Sequence, residues 1–498
     1  MNKRIEKECD NSCEYLLPDY LGDIKRVLHG GARVVKSGSF AGDGSLEVSG
    51  SVIYDLIYLD TENNLCEVSC SSDYDTNILL NMDGYVDSSV ESLLTGTNYR
   101  ATGPRKLNFK SRILHRVECE YSECDECEGV EGAECDEVSV MSFSALYGGK
   151  TELEYNETVG EIEASEDEVR VISSFGNVRI TETESVEGGV VVRGEYIVGA
   201  IISTDGQPAF VITRSIPFEE KVSIDGADEN MSAQADGQIS SLNISLGNTG
   251  TKGEVNVSFT SDLYATVGMN KERRIVKDAY YKSVGSVAEY STVCTSELVT
   301  MGEREETVRV TLPREELDAA EIRELLRVTA EPLRVQSTLT DKGLKISGDL
   351  SFSGVACEIN EDGERAYTPM KFNKEMLLEL PFGMDLPSGA RADVSVSVSD
   401  VESTVSADEL VFDVKMLLKY RVFMDTSMQS VKKLTKSGEE LKSDPSVYTV
   451  YYPDKGESLF AVAKKFNTTR ARLAADNALS EQTLSGESCE LPKRLIIT

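Results

Sequence analysis

The sequence predicts a mainly β protein: three repeated β-rich modules, sandwich-like and antiparallel, with short helices, followed by a small strand–helix–helix–strand domain. Three observations carry this expectation. A strand core built around a glycine recurs three times, turn residues follow each copy at matching offsets, and the charge changes sign near residue 426. The 498 residues are 40% hydrophobic and carry 51 basic against 86 acidic side chains, a formal charge of −35. That length suggests three or four domains. Nucleic acid and anionic membranes need clustered Lys and Arg, so the composition argues against both as general partners. It fits a solvated surface or a partner presenting positive charge.

The repeat is read directly. Ser45–Tyr54, Gly189–Val198 and Gly343–Phe352 align on Gly50, Gly194 and Gly348, which lie 144 and 154 residues apart. Each copy alternates apolar and polar residues, the period of a half-buried strand. A glycine inside such a strand suggests a bulge or a close backbone approach. Upstream, Ile24, Leu28 and Ala32 precede Ile322, Leu326 and Ala330 by 298 residues, and Leu28 maps onto Ile172 at 144. Ile24 and Leu28 are four apart, which predicts a short amphipathic helix before the strand in copies one and three. Downstream, Asp60–Asn64, Thr204–Gln207 and Asn360–Gly363 read as hairpin turns. The expected modules are 1–160, with an acidic Cys-containing insert at 118–137, then 161–315 and 316–425.

Residues 426–446, with Lys432, Lys433, Lys436 and Lys442 before Asp444-Pro445, are expected to form a polar linker. From Ser427 onward there are 11 basic and 9 acidic residues, so the preceding part carries −37. The domain at 447–498 opens on the strand Val447–Tyr452. Ser458 is placed to cap a helix carrying Leu459, Val462, Ala463 and Phe466, and Thr468 or Thr469 to cap a second that ends near Asn477. Leu495-Ile496-Ile497 closes the sheet.

Tyr448-Thr449-Val450, Gly456-Glu457-Ser458-Leu459, Ala463–Thr469, Asp476-Asn477 and Leu495-Ile496-Ile497 together resemble a LysM domain. The resemblance implies a shallow groove for N-acetylglucosamine chains between the loop Pro453–Ser458 and the loop 477–484. It marks Lys455, Gly456, Glu457, Ser458, Leu459 and Asn477 as the contact residues, for a glycan or for a protein. Leu17-Pro18-Asp19-Tyr20, Asp23–Leu28, the glycine-centred strand cores and Gly103–Leu107 resemble SPOCS domains. The whole order is similar to the SipL-type spore coat morphogenetic proteins, with SpoVID-like proteins as counterparts. That resemblance implies a mother-cell cytosolic scaffold at the forespore surface, its LysM domain docking on a SpoIVA-type morphogenetic ATPase and its repeats meeting other coat proteins. Peptidoglycan binding in cortex or wall is the alternative.

The charged first ten residues do not look like a secretory signal, and no window approaches the roughly 18 apolar residues of a membrane span. Eleven Cys on such a chain suggest reduced thiols. Cys119, Cys124, Cys127 and Cys135 include one pair at a zinc spacing, but no second close pair completes a site, and the expectation is an acidic insert with free thiols and no metal. Cys66 and Cys70 are expected to pack on one face of a strand. Gly148-Gly149-Lys150-Thr151 lacks the upstream glycine of a phosphate-binding loop, and a hairpin turn is expected there. His29 is expected to cap the short helix, His115 sits in no motif, and no catalytic constellation or cofactor site is predicted.

Overall fold

The computed structural model describes residues 2–42, 44–80, 85–121, 130–162, 169–204, 209–248, 253–282, 284–316, 321–359, 365–440, 448–479 and 491–498. Eighteen long strands form the three modules, six to each, and every module is a pair of three-stranded antiparallel sheets. In the first module, β1 (Asn2–Leu16), β6 (Lys106–Tyr121) and β5 (Tyr85–Gly103) make one sheet. β2 (Ile24–Gly42), β3 (Ser45–Asp60) and β4 (Leu65–Leu79) make the other. The second module repeats this with β7 (Glu134–Ile162), β12 (Gly253–Tyr280) and β11 (Ser232–Asn248) against β8 (Val169–Val186), β9 (Gly189–Thr204) and β10 (Phe210–Ser223). The third uses β13 (Val284–Pro313), β18 (Glu409–Glu440) and β17 (Arg391–Val405) against β14 (Glu321–Thr340), β15 (Gly343–Ile359) and β16 (Arg365–Pro381).

Each core lies between the two middle strands, as alternation demands. Tyr54 of β3 stacks on Phe109 of β6 with ring centroids 5.0 Å apart. Phe352 of β15, the repeat equivalent of Tyr54, meets Phe412 of β18 at 5.3 Å. The anchor glycines sit in those middle strands opposite bulges: Lys36/Gly38 faces Gly50, Ile180/Glu182 faces Gly194, and Leu333/Gln336 spans Gly348. The crowding is severe at Gly194, where a Cβ would stand 2.2 Å from the carbonyl oxygen of Arg179. The first predicted turn is present: the buried Asp60 carboxylate accepts from the backbone N–H groups of Glu62 and Asn64 at 2.9 and 2.8 Å. The other two turns fall largely outside the described residues, although the strands flanking them pair as hairpins.

Five expectations need correction. The short helices of copies one and three are strands, Ile24 opening β2 and Ile322 lying in β14. A spacing of four residues satisfies a strand face as well as a helix face, and two apolar positions could not separate them. The module boundaries at 160 and 315 fall too late, because β7 and β13 open the modules that follow them; the strand at Gly148–Thr151 likewise runs straight through the expected turn. Residues 426–440 are not linker: they continue β18 in register with β13, and Val431 and Leu434 are buried against Ala279 and Tyr281. The insert expected at 118–137 also shrinks, since Glu118 lies in β6 and Glu134 in β7.

The three modules close on one another. Leu28, Ile172 and Leu326, equivalent by the repeat offsets, share one apolar cluster with the equivalent trio Ile57, Ile201 and Val355. Around it lies a polar layer. His29 is therefore not a helix cap; it is buried in β2 with Nδ1 3.2 Å from Ser353 Oγ. Burial, with Arg327 and Lys371 nearby, pushes its pKa down to about 3. Ser173 Oγ donates to Glu67 at 2.6 Å, and the Arg327 guanidinium stacks over Phe175 at 4.4 Å.

Glu67 gives this junction a pH dependence. Burial pushes its carboxyl up to about 7; Asp55 adds repulsion, while Ser173, Arg327 and the Ser174 backbone oppose the rise. A carboxyl raised on folding carries no penalty below its unfolded value, and the folded state loses stability as pH climbs through the folded one. The window therefore runs from pH 4.5 to about 7, and the loss is on the order of 3 kcal/mol. Glu67→Gln keeps the hydrogen bond and removes the charge. Its thermal midpoint is expected to match the parent near pH 5 and exceed it at pH 8. Midpoints that run parallel across that range would assign the dependence to another group.

Candidate functional site

The C-terminal domain has the predicted order: β19 (Thr449–Tyr451), α1 (Leu459–Lys465), α2 (Arg470–Asp476) and β20 (Leu495–Ile497), with β19 and β20 antiparallel. Ser458 caps α1, its Oγ accepting from the Ala461 N–H at 3.1 Å, and Thr469 does the same for α2 through Arg472. Leu459, Val462, Ala463, Leu473, Leu495 and Ile497 form its core.

The six predicted contact residues divide by role. Lys455 is exposed on the loop before α1. Gly456 holds φ +86°, a left-handed conformation that glycine adopts at no steric cost. Glu457 organises the loop: its carboxylate accepts from Tyr451 Oη at 2.9 Å and from the Asp454 N–H at 3.0 Å. Leu459 is buried in the core, out of reach of a partner. Asn477 is a clip between α2 and β20. Its amide nitrogen donates to Leu473 and Ile496 carbonyls at 2.9 and 2.7 Å, and its oxygen accepts from the Ile496 N–H at 2.6 Å. The second groove wall is described only as far as Leu479.

Two surfaces of this domain were not distinguished by pattern alone. One is covered by the second module. Tyr280, at the end of β12, meets Phe460 edge-on at 5.3 Å and donates to the Thr468 carbonyl at 2.5 Å. Lys464 pairs with Asp278, and Arg470 reaches Glu134 at 3.6 Å and the Cys135 carbonyl at 2.8 Å. The basic helix side thus engages the chain's own acidic modules. The other surface is open: Tyr448, Val450, Tyr452 and Ile496 are exposed on the outer side of the β19–β20 pair, next to exposed Arg494. Alternation in Tyr448–Tyr452 was the available signal, since Tyr451 faces inward against Phe466 at 5.1 Å.

Other candidate chemistry disperses. Cys119 is buried in the first module, Cys135 lies at the start of β7, and Cys124 and Cys127 fall outside the described residues. Among the described residues no group of three His, Cys, Asp or Glu side chains is placed to hold a metal. Cys66 is buried as expected, and Cys70 lies 3.9 Å from Cys13, where burial and that neighbour push its thiol up to about 12. A thiol held protonated is a poor nucleophile. His115 is fully buried, with Ser92 Oγ 2.9 Å from Nδ1, and burial followed by Lys36 lowers its pKa. No described helix is long and apolar enough to cross a membrane.

No curated protein and no solved structure matches the chain. A family model does. Residues 169–246, which run from the start of β8 into β11, match the model described as SipL, SPOCS domain. The first and third modules repeat the strand order of that stretch in β2–β5 and β14–β17.

Proposed function

We propose that this chain is a non-enzymatic adaptor of endospore coat assembly, a closed body of three SPOCS-like modules presenting a LysM-like domain to a SpoIVA-type morphogenetic ATPase at the forespore surface in the mother-cell cytoplasm. The family match over residues 169–246 supports the sporulation setting. The observation that carries the docking reading is the uncovered face of Tyr448, Val450, Tyr452 and Ile496 beside the Lys455 loop. An apolar centre with a polar rim is the composition of a protein interface. Asn477, one of the six expected contact residues, has its side-chain amide engaged within the domain, which favours a protein partner over N-acetylglucosamine.

The test uses the full chain, offered separately to the ATPase and to N-acetylglucosamine oligomers. The ATPase is expected to bind and the sugar not to. Tyr452→Ala, which removes an exposed aromatic anchor, is expected to weaken ATPase binding by at least tenfold, about 1.4 kcal/mol. Retention on sugar or peptidoglycan with no affinity for the ATPase would move the function to cortex or wall.

A further inference from the structure

On the side where the β6, β12 and β18 sheets face one another, a half-open cavity of about 530 Å³ is lined by all three modules. That volume lies in the range of small-molecule sites. In a chain of net charge −35 its wall carries six cationic and four anionic side chains. Most of these charges neutralise one another across module boundaries: Arg421 pairs with Glu118 at 2.6 Å, Lys419 with Asp236 at 3.1 Å, and Arg4 with Asp393. These pairs fix the walls and leave those three carboxylates satisfied, so the cavity does not suit a cation.

Lys36 is different. Its ammonium donates to the Val90 carbonyl at 2.9 Å and makes no ion pair among the described residues. It stands 5.8 Å from the ring centre of Tyr264, and the Lys150 ammonium approaches the same ring to 5.6 Å, with Asp262 2.8 Å away as its counter-ion. Burial lowers the pKa of Lys36, Lys150 lowers it further, and Asp236 alone opposes. On the same wall Arg116 is already flanked by two carboxylates, Glu6 at 3.3 Å from Nε and Glu91 at 3.5 Å from Nη1, so it is not free for a ligand. A buried ammonium with donors to spare calls for a polar occupant, and like charges gathered over one ring are relieved by an anion between them. Open space adjoins this wall at Gly38, where a Cβ would meet nothing within 4 Å.

We propose that this cavity binds a small multivalent oxyanion, held by Lys36 and Lys150 over Tyr264. This rests on the closed body alone and stands apart from the adaptor reading. The experiment is calorimetric titration of the full chain with pyrophosphate and, separately, with citrate, at ionic strength held constant with sodium chloride. Saturable one-site binding of either is expected, with pyrophosphate alone marking a phosphate ligand and citrate alone a polycarboxylate. Lys36→Gln is expected to weaken binding at least tenfold and Lys36→Arg to stay within a few-fold of the parent. If Lys36→Gln fails to fold, Lys150→Gln decides, because its ammonium is partly exposed and Asp262 still accepts from Gln238 at 2.9 Å after its loss. Neither anion binding beyond chloride, or undiminished binding by folded Lys36→Gln or Lys150→Gln, would overturn the assignment.

Discussion

Gly194→Val is expected to prevent the second module from folding, with a loss of more than about 4 kcal/mol, the range of severe core lesions. Gly194 lies in β9, the middle strand of its sheet, opposite the Ile180/Glu182 bulge of β8. A Cβ there would stand 2.2 Å from the Arg179 carbonyl oxygen and 2.8 Å from the Phe218 ring. The ring is itself buried and stacked on Tyr196 at 4.4 Å, and the carbonyl belongs to the neighbouring strand and moves only if the pairing breaks. The three anchors should rank by the backbone atom each meets. Alanine should cost most at Gly194, nearly as much at Gly50, where Val35 O lies at 2.5 Å, and least at Gly348, where Leu333 O lies at 2.9 Å. Gly31→Ala is the control, a site with open space beside it. Urea unfolding of the four alanine variants reads this order. Equal midpoints for Gly194→Ala and Gly31→Ala would show that the strands do not approach as described.

Tyr280→Ala is expected to release the C-terminal domain while leaving the three modules folded. Tyr280 is 3% exposed, and its ring and hydroxyl both serve the contact with Phe460 and Thr468. Truncating a buried aromatic costs about 3–5 kcal/mol. The rim ion pairs of Lys464 and Arg470 are partly solvated and worth about 1 kcal/mol or less each, too little to hold the domain without it. Hydrogen exchange should show α1 losing protection at Leu459–Lys465 while β3, β9 and β15 keep theirs. Full protection of α1 in the variant would place the docking energy elsewhere. The uncovered face bearing Tyr448, Val450 and Tyr452 plays no part in this contact, so ATPase binding in the variant should persist.

The glycine offsets of 144 and 154 residues located the three middle strands, and the equivalence of Leu28, Ile172 and Leu326 named residues that meet in one cluster. The two caps Ser458 and Thr469 were legible for the same reason, since each acts within three residues of itself. The errors have a common physical origin. β1, β7 and β13 hold their places by pairing with the sixth strand of the same module, with partners such as Asn2 and Glu120, Glu134 and Tyr280, and Val284 and Glu440. No local period reports such a partner. Residues 426–440 looked like linker because lysines dominate them, yet Val431 and Leu434 are buried against the second module.

Among the predicted contact residues, the sequence correctly placed Lys455, Gly456, Glu457 and Ser458 on the loop before α1. The helical spacing of Leu459, Val462 and Ala463 already argued for core rather than contact at Leu459, whereas the clip made by Asn477 depends on what β20 does across the fold. Nor could it show that the Lys36 and Lys150 ammoniums converge on one aromatic ring. Periodicity, turns, caps and repeat identity are written in neighbouring residues and are set by the chain itself. Sheet closure, the packing of module on module and the gathering of like charges in one cavity depend on distances between residues far apart in sequence, and only the folded arrangement fixes those.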